Sequence, residues 1–202
     1  MSARSETADT VRERLEQRLA LSAAPEAAHV FTRLLADSAR READAADARR
    51  AAGHSLGPLD GVIVSIKDLF DIEGLPTYAG ATPAVERKPA ARDAVVVERL
   101  REAGAVLIGL TNMTEFAFSG IGLNPHWGTP SSAKAEGRIP GGSSSGGAVS
   151  VARGLADVAL GTDTGGSTRI PAAFNGIVGY KPTSHRVPKD GVFPLSYALD
   201  SV

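Results

Sequence analysis

Gly61-Val62-Ile63-Val64-Ser65-Ile66-Lys67-Asp68 is the stretch on which the fold turns. Apolar, mostly β-branched residues run from Val62 to Ile66 between a glycine and a charged pair. Such a run is too short for a stable helix and reads as a strand covered on both faces. Period two puts Ile63, Ser65 and Lys67 on one face and Val62, Val64 and Ile66 on the other. A lysine at a strand end is ordinarily solvated, so Lys67 gains functional weight only in company.

Further along the chain, Asp93 is placed to cap a helix running through Arg101, with Val96, Val97 and Leu100 as its stripe and Gly104 as its stop. Ala105-Val106-Leu107-Ile108 supplies the next strand, and a second alternation follows around residues 149–152 and 158–160. Alternation of this kind specifies an α/β sheet with parallel pairs. In the other direction the texture changes at Gly53, before which there is no glycine at all. Val11, Leu15, Leu19 and Leu21 predict a short amphipathic helix. Pro25 then opens a second, predicted over residues 26–52 with Val30, Phe31, Leu34 and Leu35 on its buried stripe. The expected organisation is a helical N-terminal segment, residues 1–56, leading into an α/β core over residues 57–202.

With 202 residues the chain is long enough for one sizeable core. Its net charge of −1 carries no footprint of nucleic acid or anionic membrane. The arginines between Arg40 and Arg50 are interleaved with Glu42, Asp44 and Asp47, which reads as a solvated helix face. The absence of cysteine excludes disulfides, thiolate metal sites and a cysteine nucleophile together. His29, His54, His126 and His185 are scattered without ligand spacing, so no metal site is expected. No apolar run reaches the roughly 18 residues of a membrane span. The first ten residues are polar and lack a signal-peptide core, so the expected location is the cytoplasm.

Chemistry concentrates at two glycine-rich stretches. Gly141-Gly142-Ser143-Ser144-Ser145-Gly146-Gly147 presents three hydroxyls on a backbone free to adopt unusual conformations, ahead of a helix expected after Gly147. A flexible linker has the same composition, but linkers rarely separate a proline such as Pro140 from an apolar helix within one domain. In Gly161-Thr162-Asp163-Thr164-Gly165-Gly166-Ser167-Thr168-Arg169, consecutive glycines free backbone N–H groups to converge on one point, as an oxyanion hole requires. Asp163 and Arg169 are spaced to pair and hold that loop. Residues 142–146 formally match G-x-S-x-G, and residues 131–134 match S-x-x-K. The first lacks a suitable histidine base and the second lacks its companion motifs, so both matches are accidental. No Walker pattern occurs.

Taken together, Gly61–Asp68, Thr111-Asn112-Met113-Thr114-Glu115-Phe116, the serine–glycine loop and residues 161–171 make the chain resemble the amidase signature family. The resemblance runs from about Gly57 onward. It implies a mixed central β-sheet flanked by helices and a Ser–cis-Ser–Lys triad, with Ser167 as nucleophile, Ser143 as the serine after a cis peptide bond and Lys67 as base. The oxyanion hole it implies is built from the backbone of Thr164, Gly165, Gly166 and Ser167, with Ser144, Asp163 and Arg169 in support. Hydrolysis of a small-molecule carboxylic amide through an acyl-enzyme, without metal or organic cofactor, is the expected activity. The family also includes glutaminase-type subunits of tRNA-dependent amidotransferases, so a homodimer or amidotransferase partner subunits are the expected associations, with no direct nucleic-acid or membrane contact. Family members are more than twice this length. The resemblance therefore also implies a sheet completed beyond Val202, and an inactive fragment is a third reading.

Overall fold

The structure, a computed structural model, describes residues 9–202. Its centre is a four-stranded sheet of order β1-β3-β2-β4, made of Phe31–Leu34 (β1), Ile63–Lys67 (β2), Val106–Thr111 (β3) and Val158–Leu160 (β4). β2 is paired in parallel with both β3 and β4, and β1 joins the far side of β3 antiparallel. The sheet is mixed, and helices flank it.

The alternation read from β2 sorts its side chains onto two layers. Val64 and Ile66 belong to a core completed by Leu107, Leu110, Met113 and Val97. Ile63, with Val106 and Ile108 of β3, belongs to a second core under the helices Val11–Ser22 (α1) and Ala36–Ala51 (α2). On that same face Ser65 meets Ser150 of Ser145–Ala152 (α4), their hydroxyls 2.8 Å apart. Lys67 comes next along it. The face thus grades from apolar at one end of the strand to polar at the other, where function is expected.

α1 starts with a capping box: Thr10 Oγ1 accepts the amide of Glu13, and the Glu13 carboxylate accepts the amide of Thr10. Val11, Leu15 and Leu19 are buried as the stripe requires, while Leu21 lies outside it and is 51% exposed. α2 answers with Ala39, Ala43 and Ala46, small residues that let the two helices approach closely. Asp47 of α2 accepts the free amides of Val11 and Arg12 at 2.8 and 2.9 Å, closing the helix pair.

The continuous helix expected over residues 26–52 does not exist. Pro25–Ala27 is a single 3₁₀ turn, Phe31–Leu34 is β1, and only Ala36–Ala51 is helical. Phe31 pairs with Thr111 and Leu34 with Gly109, so an available sheet edge overrides the helical stripe into which Phe31 and Leu34 fit by spacing. Asp93 does not cap the helix Val95–Glu102 (α3); Ala94 occupies that place. The Asp93 carboxylate instead accepts the Glu73 amide and the Arg101 guanidinium. α4 also begins earlier than expected and includes Gly146 and Gly147.

Candidate active site

The site lies where the parallel strands β2 and β4 end, beside the switch in strand order, as is usual for open α/β sheets. Three segments converge there: the end of β2, the loop before α4, and the loop between β4 and Arg169–Asn175 (α5).

Lys67 is the last residue of β2 and is fully buried. Its Nζ donates to Ser143 Oγ at 2.8 Å and to Thr162 Oγ1 at 2.9 Å. Burial pushes the amine down to about 7, against the opposing pull of Asp163 and Asp200. At neutral pH Lys67 is therefore poised between its two protonation states. In the neutral form it can still donate to Thr162 while its lone pair accepts the Ser143 hydroxyl proton. Sequence reading gives Thr162 no role, because a threonine two residues past a strand carries no signal of its own.

The loop before α4 is held in place by its backbone. Gly141 has φ +74°, and a side chain there would press on the Pro171 backbone, 3.0 Å away. The Gly142–Ser143 peptide is cis. Ser143 is fully buried, and its carbonyl accepts the Thr114 amide at 3.0 Å. The Ser144 amide donates to the carbonyl of Ser167 at 3.1 Å, joining the two loops. Behind them stands Asn112, also fully buried. Its side chain donates to His29 and Gly128 carbonyls and accepts the Met113 amide, while its own carbonyl accepts the Gly146 amide at 2.9 Å. Gly146 is required here: a Cβ would run into the Val30 carbonyl and lie 2.7 Å from the Asn112 amide.

The second loop is organised by Asp163, whose side chain is nearly inaccessible. Arg169 grips it with two hydrogen bonds of 3.0 and 2.9 Å, the pairing anticipated from spacing. The carboxylate also accepts the amides of Gly166 at 2.7 Å and of Thr168 at 3.2 Å. Burial pushes this carboxyl up, but Arg169 and the amides outweigh that and hold it at about 2. Gly166 therefore spends its N–H on Asp163. The amides of Thr164, Gly165 and Ser167 have no partner among the described residues. Ser167 follows them, 8% exposed and within reach of solvent. Ser144 contributes through its backbone, since its hydroxyl comes only within 3.5 Å of the Thr162 carbonyl.

A buried amine, a hydroxyl bonded to it, a second serine on the adjoining loop and unpartnered amides beside it lie together at this end of the sheet, the groups that a serine nucleophile with a lysine base would need. The model of the family described as Amidase matches residues 13–202. The chain belongs to the Amidase family. It is 45% identical over 172 residues to the AtzE subunit of 1-carboxybiuret hydrolase from Pseudomonas sp. (strain ADP), covering 85% of this chain and 38% of that protein. It is 49% identical over 172 residues to a glutamyl-tRNA(Gln) amidotransferase subunit of Anaeromyxobacter dehalogenans, again over 85% of this chain but 35% of the relative. Among solved structures it resembles native peptide amidase from Stenotrophomonas maltophilia with a TM-score of 0.84 and 39% identity, covering 95% of this chain and 40% of that one. The chain thus spans well under half the length of the relatives it matches. No group of three or more His, Asp or Glu side chains that could hold a metal occurs among the described residues. None of the described helices is long and apolar enough to cross a membrane.

Proposed function

We propose that the protein hydrolyses a carboxylic amide through an acyl-enzyme on Ser167, with Ser143 and Lys67 relaying the proton. The observation that carries this reading is the bond of 2.8 Å between Lys67 Nζ, buried and lowered to about 7, and Ser143 Oγ. Serine attacks only when a neighbour removes its proton, and an amine does so only when neutral. Lys67 has no solvent to stabilise its charge, which is the condition a lysine base needs.

Ser167 Oγ attacks the amide carbon as its proton passes to Ser143 Oγ, whose own proton passes to Lys67 Nζ. The carbonyl oxygen becomes an oxyanion, stabilised by amides of the residue 164–167 stretch. Of these, Thr164, Gly165 and Ser167 are the available donors, since Gly166 serves Asp163. Collapse breaks the C–N bond, and the proton held on Lys67 returns through Ser143 to the departing nitrogen. Water then attacks the ester by the same relay, releasing the acid and restoring Ser167.

The 49% identity to the glutamyl-tRNA(Gln) amidotransferase subunit favours a second reading, release of ammonia from glutamine within a complex. Glutamine-specific turnover together with co-purifying subunits would select it over a free-standing amidase. Both readings share the same nucleophile. A fluorophosphonate probe followed by intact-mass measurement tests it directly: one adduct is expected on this chain and none on Ser167→Ala. An equal adduct on the variant would remove Ser167 from the mechanism. No adduct on a folded sample would favour the inactive-fragment reading for this stretch of chain.

A further inference from the structure

The loop of residues 161–168 is held by two carboxylates, and only Asp163 belongs to it. Asp200 is 5% exposed and accepts Thr164 Oγ1 at 2.6 Å and the amides of Leu195 and Ser196 at 2.9 and 3.0 Å. Its neighbour Ser201 exchanges backbone hydrogen bonds of 2.8 and 3.1 Å with Asp163. That backbone pairing already aligns the two segments. It gives no reason for a carboxylate to be buried against Thr164. A buried carboxylate is unfavourable unless donors fill its lone pairs, and one of the donors recruited here comes from the loop that carries Ser167.

We propose that Asp200 is a positioning residue for acyl transfer, whose carboxylate fixes Thr164 and the amides that follow it and places a negative charge without an ion-pair partner near Lys67. The proposal rests on Lys67 being the base. Thr162, which binds Lys67 Nζ, is two residues from Thr164, so the segment that touches the amine is the segment Asp200 holds. Asp163 and Asp200 are the charges that favour the protonated amine. Asp163 is matched by Arg169, whereas Asp200 has no ion-pair partner among the described residues. The nearby cation, Lys181, is turned to the Pro182 carbonyl and the Ser201 hydroxyl. Ser143 and Thr162 bond the amine without adding charge, and the next residue, Asp68, whose carboxyl burial raises to about 7, is not among the charges that act on Lys67.

The test measures the rate of fluorophosphonate labelling of the full chain between pH 5 and 10. It compares wild type with Asp200→Asn, Thr164→Val and Ser167→Ala. Both Asp200→Asn and Thr164→Val should label about tenfold more slowly, because each loosens the amides before Ser167. The rate rises with pH as Lys67 loses its proton. Removing a negative charge makes that loss easier, so the inflection of Asp200→Asn should move to lower pH while that of Thr164→Val stays in place. An Asp200→Asn profile that superimposes on wild type, or that slows with its inflection unmoved, overturns the proposal. Should Asp200→Asn fail to fold, labelling of Thr164→Val at the wild-type rate overturns it instead. Labelling that survives in Ser167→Ala sinks the underlying reading and this proposal with it. Loss in Ser167→Ala beside an unchanged Asp200→Asn sinks the proposal alone.

Discussion

The α1–α2 pair and the ground around Lys67 both bring charged groups together, and they do so under opposite conditions. On the helices, Arg12 reaches Glu16 at 2.8 Å and Asp44 at 2.7 Å, and Arg40 reaches Glu16 at 2.8 Å, with each side chain between 37% and 58% exposed. Water already solvates those charges, so the pairs add little to stability. The helices are joined instead by Val11, Leu15 and Leu19 on the alanine face of α2. Lys67 has no exposure at all, and its partners are hydroxyls rather than a direct counter-ion. There burial depresses the amine's proton affinity and favours its neutral form. One region leaves its charges in water, the other shuts water out from an amine, at a cost in stability.

The strongest test of that contrast is Lys67→Met, which keeps the length of the side chain and removes the amine. Labelling at Ser167 should fall by about 10² to 10⁴-fold, the range of a lost general base. Stability should move the other way, and its pH dependence gives the sign. The native amine sits at about 7 and the unfolded one near 10.5, so between these values the unfolded chain binds the extra proton. Wild-type stability from this group therefore rises with pH across that window, at up to about 1.4 kcal/mol per pH unit. Below pH 7 both states are protonated, and the full cost of burying the ammonium is present. Lys67→Met should gain most on wild type at pH 6 and least at pH 10, as read from urea melts at the two values. Equal gaps at both would mean that Lys67 is not buried as a base.

A second test separates packing from chemistry within the same ground. Gly146→Ala drives a methyl against the backbone of Val30 and Asn112, which cannot swing aside as a side chain would. It should destabilise by about 1–3 kcal/mol. Gly165 has open space where a Cβ would go and no positive φ, so Gly165→Ala should change stability by less than about 0.5 kcal/mol. Similar urea midpoints for the two variants would show that α4 does not dock as tightly as the structure has it.

The same contrast explains what is readable in the sequence. β2, β3, α1 and the Asp163–Arg169 pair follow from local pattern, because their partners lie within a few residues or repeat at a fixed period. The roles proposed for Lys67, Ser143 and Ser167 come from family resemblance, since composition alone leaves three serines open in the first loop and an ordinarily solvated lysine. β1 is unreadable: Phe31 and Leu34 fit a helical stripe in an alanine-rich stretch, and only the edge of β3, some 78 residues away at Thr32–Leu110, decides otherwise. Thr162 meets Lys67 across 95 residues, and Asp200 meets Thr164 across 36. Such pairings have no period, so only the folded chain reveals them.

The smallest effect is expected on the other side of the comparison. Arg12→Ala removes contacts to both Glu16 and Asp44 and would look severe from a count of ion pairs. Glu16 keeps Arg40, and Asp44 regains water, so no charge is left stranded. The Val11 and Arg12 amides still donate to Asp47, and the apolar seam is untouched. The melting temperature should therefore fall by less than about 2 °C. In 1 M salt, where the screening length is about 3 Å, even that difference should shrink. A larger fall that persists in salt would place Arg12 among the packing residues of the α1–α2 seam through its aliphatic stem, and would erase the distinction between solvated and buried charge.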